Sequence, residues 1–160
     1  MTCDGEGYWY LSVKYTREAS GAVSASQELS TLTRFQRRGM ESCKPLSTPL
    51  PSKSDVVLNE LLKPNENPDP VLNKQFQEII SQLLYCQQQT VPEISWSVPI
   101  LARFTTKAGA PHMALAKKVL RYLQCRKGIP LRWCARSCQQ PHLPSSIYGY
   151  ADASFADIKP

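Results

Sequence analysis

The sequence predicts an α+β fold in which an N-terminal β-hairpin leads into a central helical bundle and strands return toward the C-terminal end. Three patterns carry that prediction. Aromatic and β-branched residues mix with polar ones at short period near the start, apolar stripes of helical period run through the middle, and two short β-rich runs lie in the final third. A length of 160 residues and a hydrophobic content of 42% supply enough apolar side chain for a core.

Residues 8–16, YWYLSVKYT, make the first arm of the hairpin, and SGAVSAS after Glu18 makes the second, with Gly21 at the turn. Ser26 is placed to cap a helix over QELSTLTRFQRR, in which Leu29, Leu32 and Phe35 recur every third residue and Gly39 suits the stop. A proline- and serine-rich connector, CKPLSTPLPSKS, follows, and KPNENPDP at 63–70 makes a second break. The next helix, LNKQFQEIISQLLYCQQQ, carries Phe76, Ile79, Ile80, Leu83 and Leu84 as one apolar stripe that requires a partner. PEISWSVPILARFTT predicts another helix, kinked at Pro99 or starting later because of it. PHMALAKKVLRYLQCRKG is the clearest helix, with Pro111 in its first turn, Met113, Ala116, Val119, Leu120 and Leu123 on its buried face, and Gly128 at its end. IPLRWC at 129–134 and IYGYAD at 147–152 read as strands, the second opening a new domain. The chain therefore divides into 1–50, a connector at 51–70, a helical region at 71–128 and a strand region at 129–160.

Charge is unevenly placed. From Ile94 to Ala151 there is no Asp or Glu, while nine of the 19 basic residues fall there, so the net charge of +6 belongs to one segment. Such a stretch is a footprint for a polyanion, with a solvated surface as the alternative. Lys117, Lys118 and Arg121 lie off the apolar stripe of their helix, and Arg126 and Lys127 follow at its end. These five are the candidate nucleic-acid-binding residues. Tyr122 and Trp133 are read as core side chains rather than base-stacking platforms, and His112 as a packing or capping residue.

No run approaches the eighteen or so apolar residues of a membrane span, and the start has no signal core. The expected location is intracellular, cytoplasmic or nuclear, with no membrane partner and no secretion. Six cysteines are accordingly expected as thiols. Cys125, Cys134, Cys138 and His142 form a nominal zinc set, a weak one because no Cys-x-x-Cys pair occurs.

In this order the segments resemble the Pol polyprotein of copia-type retrotransposons, from late reverse transcriptase into the start of ribonuclease H. YLSVKYTRE and VSASQELSTLTRFQRRGMESCKPLSTPL resemble the family's strand pair and helix, leading to Gly39 and Met40 and then Lys44, Pro45, Ser47, Thr48 and Pro49. FQEIISQLLYCQQQTVPEISWSVPILARF resembles the helix ending in Leu-x-Tyr, an Arg-Pro-Asp-Ile element and a helix ending in Arg-Phe. HMALAKKVLRYLQ resembles the family's His-containing basic helix, and YGYADASFAD its ribonuclease H opening. Ser81 stands where the family has glycine, Val91, Pro92, Glu93 and Ile94 replace Arg-Pro-Asp-Ile, and Ser154 replaces the second aspartate of Asp-Ala-Asp.

The resemblance implies a palm-like hairpin and helix over 1–50, a thumb- and connection-like bundle over 71–128, and strands beginning a ribonuclease H-like sheet over 129–160. Asp152 matches the first ribonuclease H carboxylate, a metal ligand only in a longer protein, and Asp157 reads as solvated. The complete parent enzyme, an RNA-directed DNA polymerase, is expected to use Mg2+ held by several carboxylates, and this chain is expected to hold no cofactor. The family's polymerase site uses adjacent aspartates, and this sequence has no Asp-Asp pair. The expected function is that of a catalytically incomplete reverse transcriptase and ribonuclease H fragment that contacts an RNA/DNA hybrid or duplex and lacks the polymerase and nuclease portions of its parent. The alternatives are a stand-alone nucleic-acid-binding or interaction protein derived from a retroelement, and a small zinc-stabilised module.

Overall fold

The computed structural model describes residues 2–3, 7–50 and 62–133. These form strands β1 (Thr2–Cys3), β2 (Tyr8–Tyr10), β3 (Val13–Arg17), β4 (Val23–Ser26) and β5 (Leu131–Trp133). Helices α1 (Glu28–Gln36), α2 (Pro70–Gln89), α3 (Ser97–Ala102) and α4 (Ala110–Arg126) lie between β4 and β5, with a 3-10 turn at Pro92–Ile94. The class is α+β: one antiparallel sheet in the order β1-β2-β3-β4-β5 beside a helical core.

The run at 8–16 is two strands rather than one. Leu11 and Ser12 both take positive φ, 48° and 65°, and turn β2 back onto β3 with Tyr10 opposite Val13. A two-residue hairpin loop favours such angles because they match the twist of the strands, but Asn and Gly are its usual residues, so Leu-Ser gives no signal of it. The Tyr85 hydroxyl of α2 donates to the Leu11 carbonyl, an anchor for the turn from outside the hairpin. The second turn falls at Gly21, whose φ of 83° suits glycine, and there Glu18 N–H donates to Ala22 O at 2.8 Å.

In α1 the Ser26 hydroxyl accepts from Glu28 N–H at 3.2 Å, and Gly39, with φ of 59°, closes the far end. Its buried face runs through Thr31 and Phe35, while Leu29 is 60% exposed. The every-third-residue stripe expected at Leu29, Leu32 and Phe35 is thus corrected, because successive steps of three drift around a helix of 3.6 residues per turn.

Helix α2 begins at Pro70, where Asp69 accepts from Val71 N–H at 3.0 Å. Phe76, Ile79, Ile80, Leu83 and Cys86 are buried, and Leu84 packs at the margin. Pro99 sits in the first turn of α3, where its missing N–H costs no helical bond. Helix α4 buries Met113, Leu115, Ala116, Val119, Leu120 and Leu123 against α2 and α3. Fully burying one such side chain contributes about 1.5–3 kcal/mol. The second half of the connector is held in place: Asn65 N–H donates to Lys107 O at 3.0 Å, and Asn65 Nδ2 donates to Ala108 O at 3.3 Å. Gly109 lies against Asn65, so an added Cβ would come within 3.2 Å of its amide nitrogen.

After Gly128, at φ of 80°, the chain returns to the first sheet. β5 pairs antiparallel with β4, Val23 opposite Trp133 and Ala25 opposite Leu131. Arg132 Nε donates to Glu18 Oε1 at 2.7 Å, and that guanidinium holds the Glu18 carboxyl below its ordinary range. The first of the C-terminal strands thus completes the N-terminal sheet. Trp133 is 49% exposed there, which corrects its reading as a core side chain. The strand expected at 147–152, with the rest of 134–160, lies outside the described residues, as does 51–61.

Candidate nucleic-acid interface

Two contacts tie α1 to α2 and thereby aim the end of α1. Thr90 Oγ1 donates to the Gln27 side-chain carbonyl at 2.8 Å in a buried position, and Arg34 Nη1 lies 3.0 Å from Cys86 Sγ. Burial pushes the Cys86 thiol up from its ordinary value, with Arg34 opposing. Arg37 and Arg38 follow directly, their charges favoured at a helix C-terminus.

These two arginines form one wall of a groove of about 920 Å³. Lys117, Lys118 and Arg121 of α4 line it too, brought together because positions three and four apart share a helix face. The α2 residues Gln75, Glu78, Ile79 and Gln82 complete the lining among the described residues, in the same helical spacing, and Glu78 is the one carboxylate among them. Burial pulls the Arg38 guanidinium down, Glu78 pulls it back up, and Arg34 and Arg37 lower it further. Arginine stays charged throughout the neutral range. Among the described residues the groove therefore presents five cations against one anion.

Of the five residues expected from sequence, three meet here and two do not. Arg121 also fastens the connector, its Nε donating to Lys44 O at 2.7 Å while its own carbonyl accepts from Leu46 N–H at 3.2 Å. Arg126 is ion-paired with Glu93, and it lines with Lys127 a separate shallow site at the end of α4. Arg37 and Arg38 escaped the sequence reading because α1 lies outside the acid-free stretch that singled out α4.

His112 is buried, and its Nδ1 accepts from Gly109 N–H at 3.0 Å, capping α4. Phe104 and Phe76 lie against it with ring centroids at 4.6 and 6.3 Å. Burial lowers its pKa. Tyr122 is buried as expected. Among the described residues no three His, Cys, Asp or Glu side chains are grouped to hold a metal ion, and Cys125 is an exposed free thiol. Asp152, Asp157, Cys134, Cys138 and His142 lie outside the described residues. No helix among the described residues is long and apolar enough to cross a membrane.

The chain is 34% identical over 87 residues to a transposon Ty5-1 protein of Saccharomyces cerevisiae, a match covering 47% of this chain and 28% of that protein. It is 32% identical over 120 residues to an uncharacterized mitochondrial protein of Arabidopsis thaliana, covering 75% of this chain and 46% of that one. It is 28% identical over 127 residues to the retrovirus-related Pol polyprotein from transposon TNT 1-94 of Nicotiana tabacum, covering 78% of this chain and 9% of that one. The chain thus spans less than half the length of each of these curated relatives. No protein-family model and no solved structure matches it. These relatives place it among retroelement-derived proteins. More narrowly, its homologues are Pol-related proteins of copia-type retrotransposons.

Proposed function

We propose that this chain corresponds to the thumb and connection part of a copia-type reverse transcriptase, running toward ribonuclease H, and that it grips a nucleic-acid duplex through its phosphates. The observation that carries this reading is the groove: five cations from the end of α1 and from α4 line one trough, with a single carboxylate among the described lining residues. A hybrid or duplex backbone offers a row of phosphates to such a trough, and neutralising them releases counterions. Polymerisation and hybrid cleavage are not expected of this chain: both need several carboxylates around two metal ions, the sequence carries no Asp-Asp pair for the first, and Asp152 alone matches a carboxylate of the second.

The test is anisotropy of a labelled RNA/DNA hybrid across a salt series. Five phosphate contacts give a slope of log K against log salt of roughly −4, and replacing Lys117, Lys118 and Arg121 together by alanine removes about 2–3 of it. Affinity indifferent to salt and to the triple variant overturns the grip. Primer extension and hybrid cleavage with Mg2+ should give no product, and product formation would overturn catalytic incompleteness.

A further inference from the structure

The cationic groove continues around α1. Arg37 and Gln82 also line a second pocket of about 520 Å³, set between the β2–β3 hairpin and α1, whose walls include Trp9, Ser12, Leu29 and Arg34. Register explains why Trp9 is there: it pairs with Lys14, which pairs with Ser26, so all three lie on the sheet face beside the start of α1. A smaller depression of about 280 Å³ shares Trp9 and Leu29 with it and contains Lys14, whose Nζ is 5.8 Å from the indole centroid.

We propose that the larger pocket takes an unpaired nucleobase at the end of the duplex, stacked on Trp9 with its adjoining phosphate on Arg37. The inference rests on the groove reading and adds a site for single-stranded nucleic acid to it. A base needs an aromatic surface, apolar cover and a cation one phosphate away, and Trp9, the 60% exposed Leu29 and the exposed Arg37 supply these side by side. The volume falls within the range of small-molecule pockets. Neither other aromatic considered for stacking serves. Tyr122 is buried in the core, and Trp133 is on β5, at the opposite end of the sheet from β1 and β2.

The experiment compares a blunt RNA/DNA hybrid with the same hybrid bearing a short single-stranded overhang, both by anisotropy. The overhang is expected to tighten binding by about tenfold or more. Trp9→Leu should abolish that gain while leaving affinity for the blunt hybrid unchanged, and Trp9→Phe should keep most of it. Leu29→Glu, at an exposed position that tolerates charge, should also abolish it. Equal, salt-dependent binding of both hybrids, or a gain that survives Trp9→Leu and Leu29→Glu, overturns the stacking site and leaves the groove standing. Binding of neither hybrid overturns the groove reading and the stacking site with it.

Discussion

Lys117, Lys118 and Arg121, in the middle of α4, line one groove with Arg37 and Arg38, whereas Arg126, at the end of the same helix, is held by Glu93. Arg132, a few residues on, is held by Glu18. A stretch of one sign in sequence is therefore divided by acids that come from outside it. Glu93 stands directly before the acid-free run and Glu18 is in the β3–β4 turn, and they neutralise cations at the end of α4 and on β5. Among the described residues, the cations of the groove are the ones whose neighbours in space are mostly basic. Local charge density in three dimensions, rather than a run along the chain, defines the surface.

The largest effect should come from the residue that both regions depend on. Phe76 is fully buried under the first turn of α4 and lies edge-on to His112, so Phe76→Ala should cost about 3–5 kcal/mol in denaturant unfolding and weaken both ends of α4 alike. Loss confined to one end would show that the ends are independent.

Charge removal should then separate them. Alanine at Lys117, Lys118 and Arg121 together should lower hybrid affinity roughly tenfold to a hundredfold at moderate salt, and alanine at Arg126 and Lys127 together only about twofold. Equal losses would break the division described above.

Acid should loosen the first turn of α4. Burial lowers the His112 pKa, so the unfolded chain binds the proton more readily than the folded one and stability rises with pH. The contribution is whole above about pH 6.5 and is lost as pH falls below that toward the lowered value. Protonation would also turn the Nδ1 that accepts from Gly109 into a donor. Melting temperature followed from roughly pH 8 to 5 should decline less in His112→Gln than in the parent chain.

The smallest effect belongs to the paired end. Arg126 and Glu93 are partly exposed, with side-chain exposures of 22% and 41%, and Glu93→Gln should change stability by less than about 1 kcal/mol in urea. What it should change is the charge around Arg126, measurable as a slight gain in hybrid affinity.

Helices α2 and α4 were legible because a helix writes its buried face into every third or fourth residue, and α4 also wrote its ends into Pro111 and Gly128. The family order of motifs, the hairpin turn at Gly21 and the capping role of His112 were legible for a similar reason: each is carried by residues close together in the chain. The tertiary structure alone decided the rest. The Leu11–Ser12 turn has no turn residues and takes its anchor from Tyr85, more than seventy positions away. β5 shows no preference in its own residues for β4 over any other strand, and it is sited by pairing across about a hundred residues. Arg37 and Arg38 join the groove only when the buried Gln27–Thr90 and part-buried Arg34–Cys86 contacts bring the end of α1 beside α4. By itself the sequence determined which residues would be helical, apolar or charged, since those properties are local. Which charges would face one another was left to packing, because that depends on where separate elements come to rest.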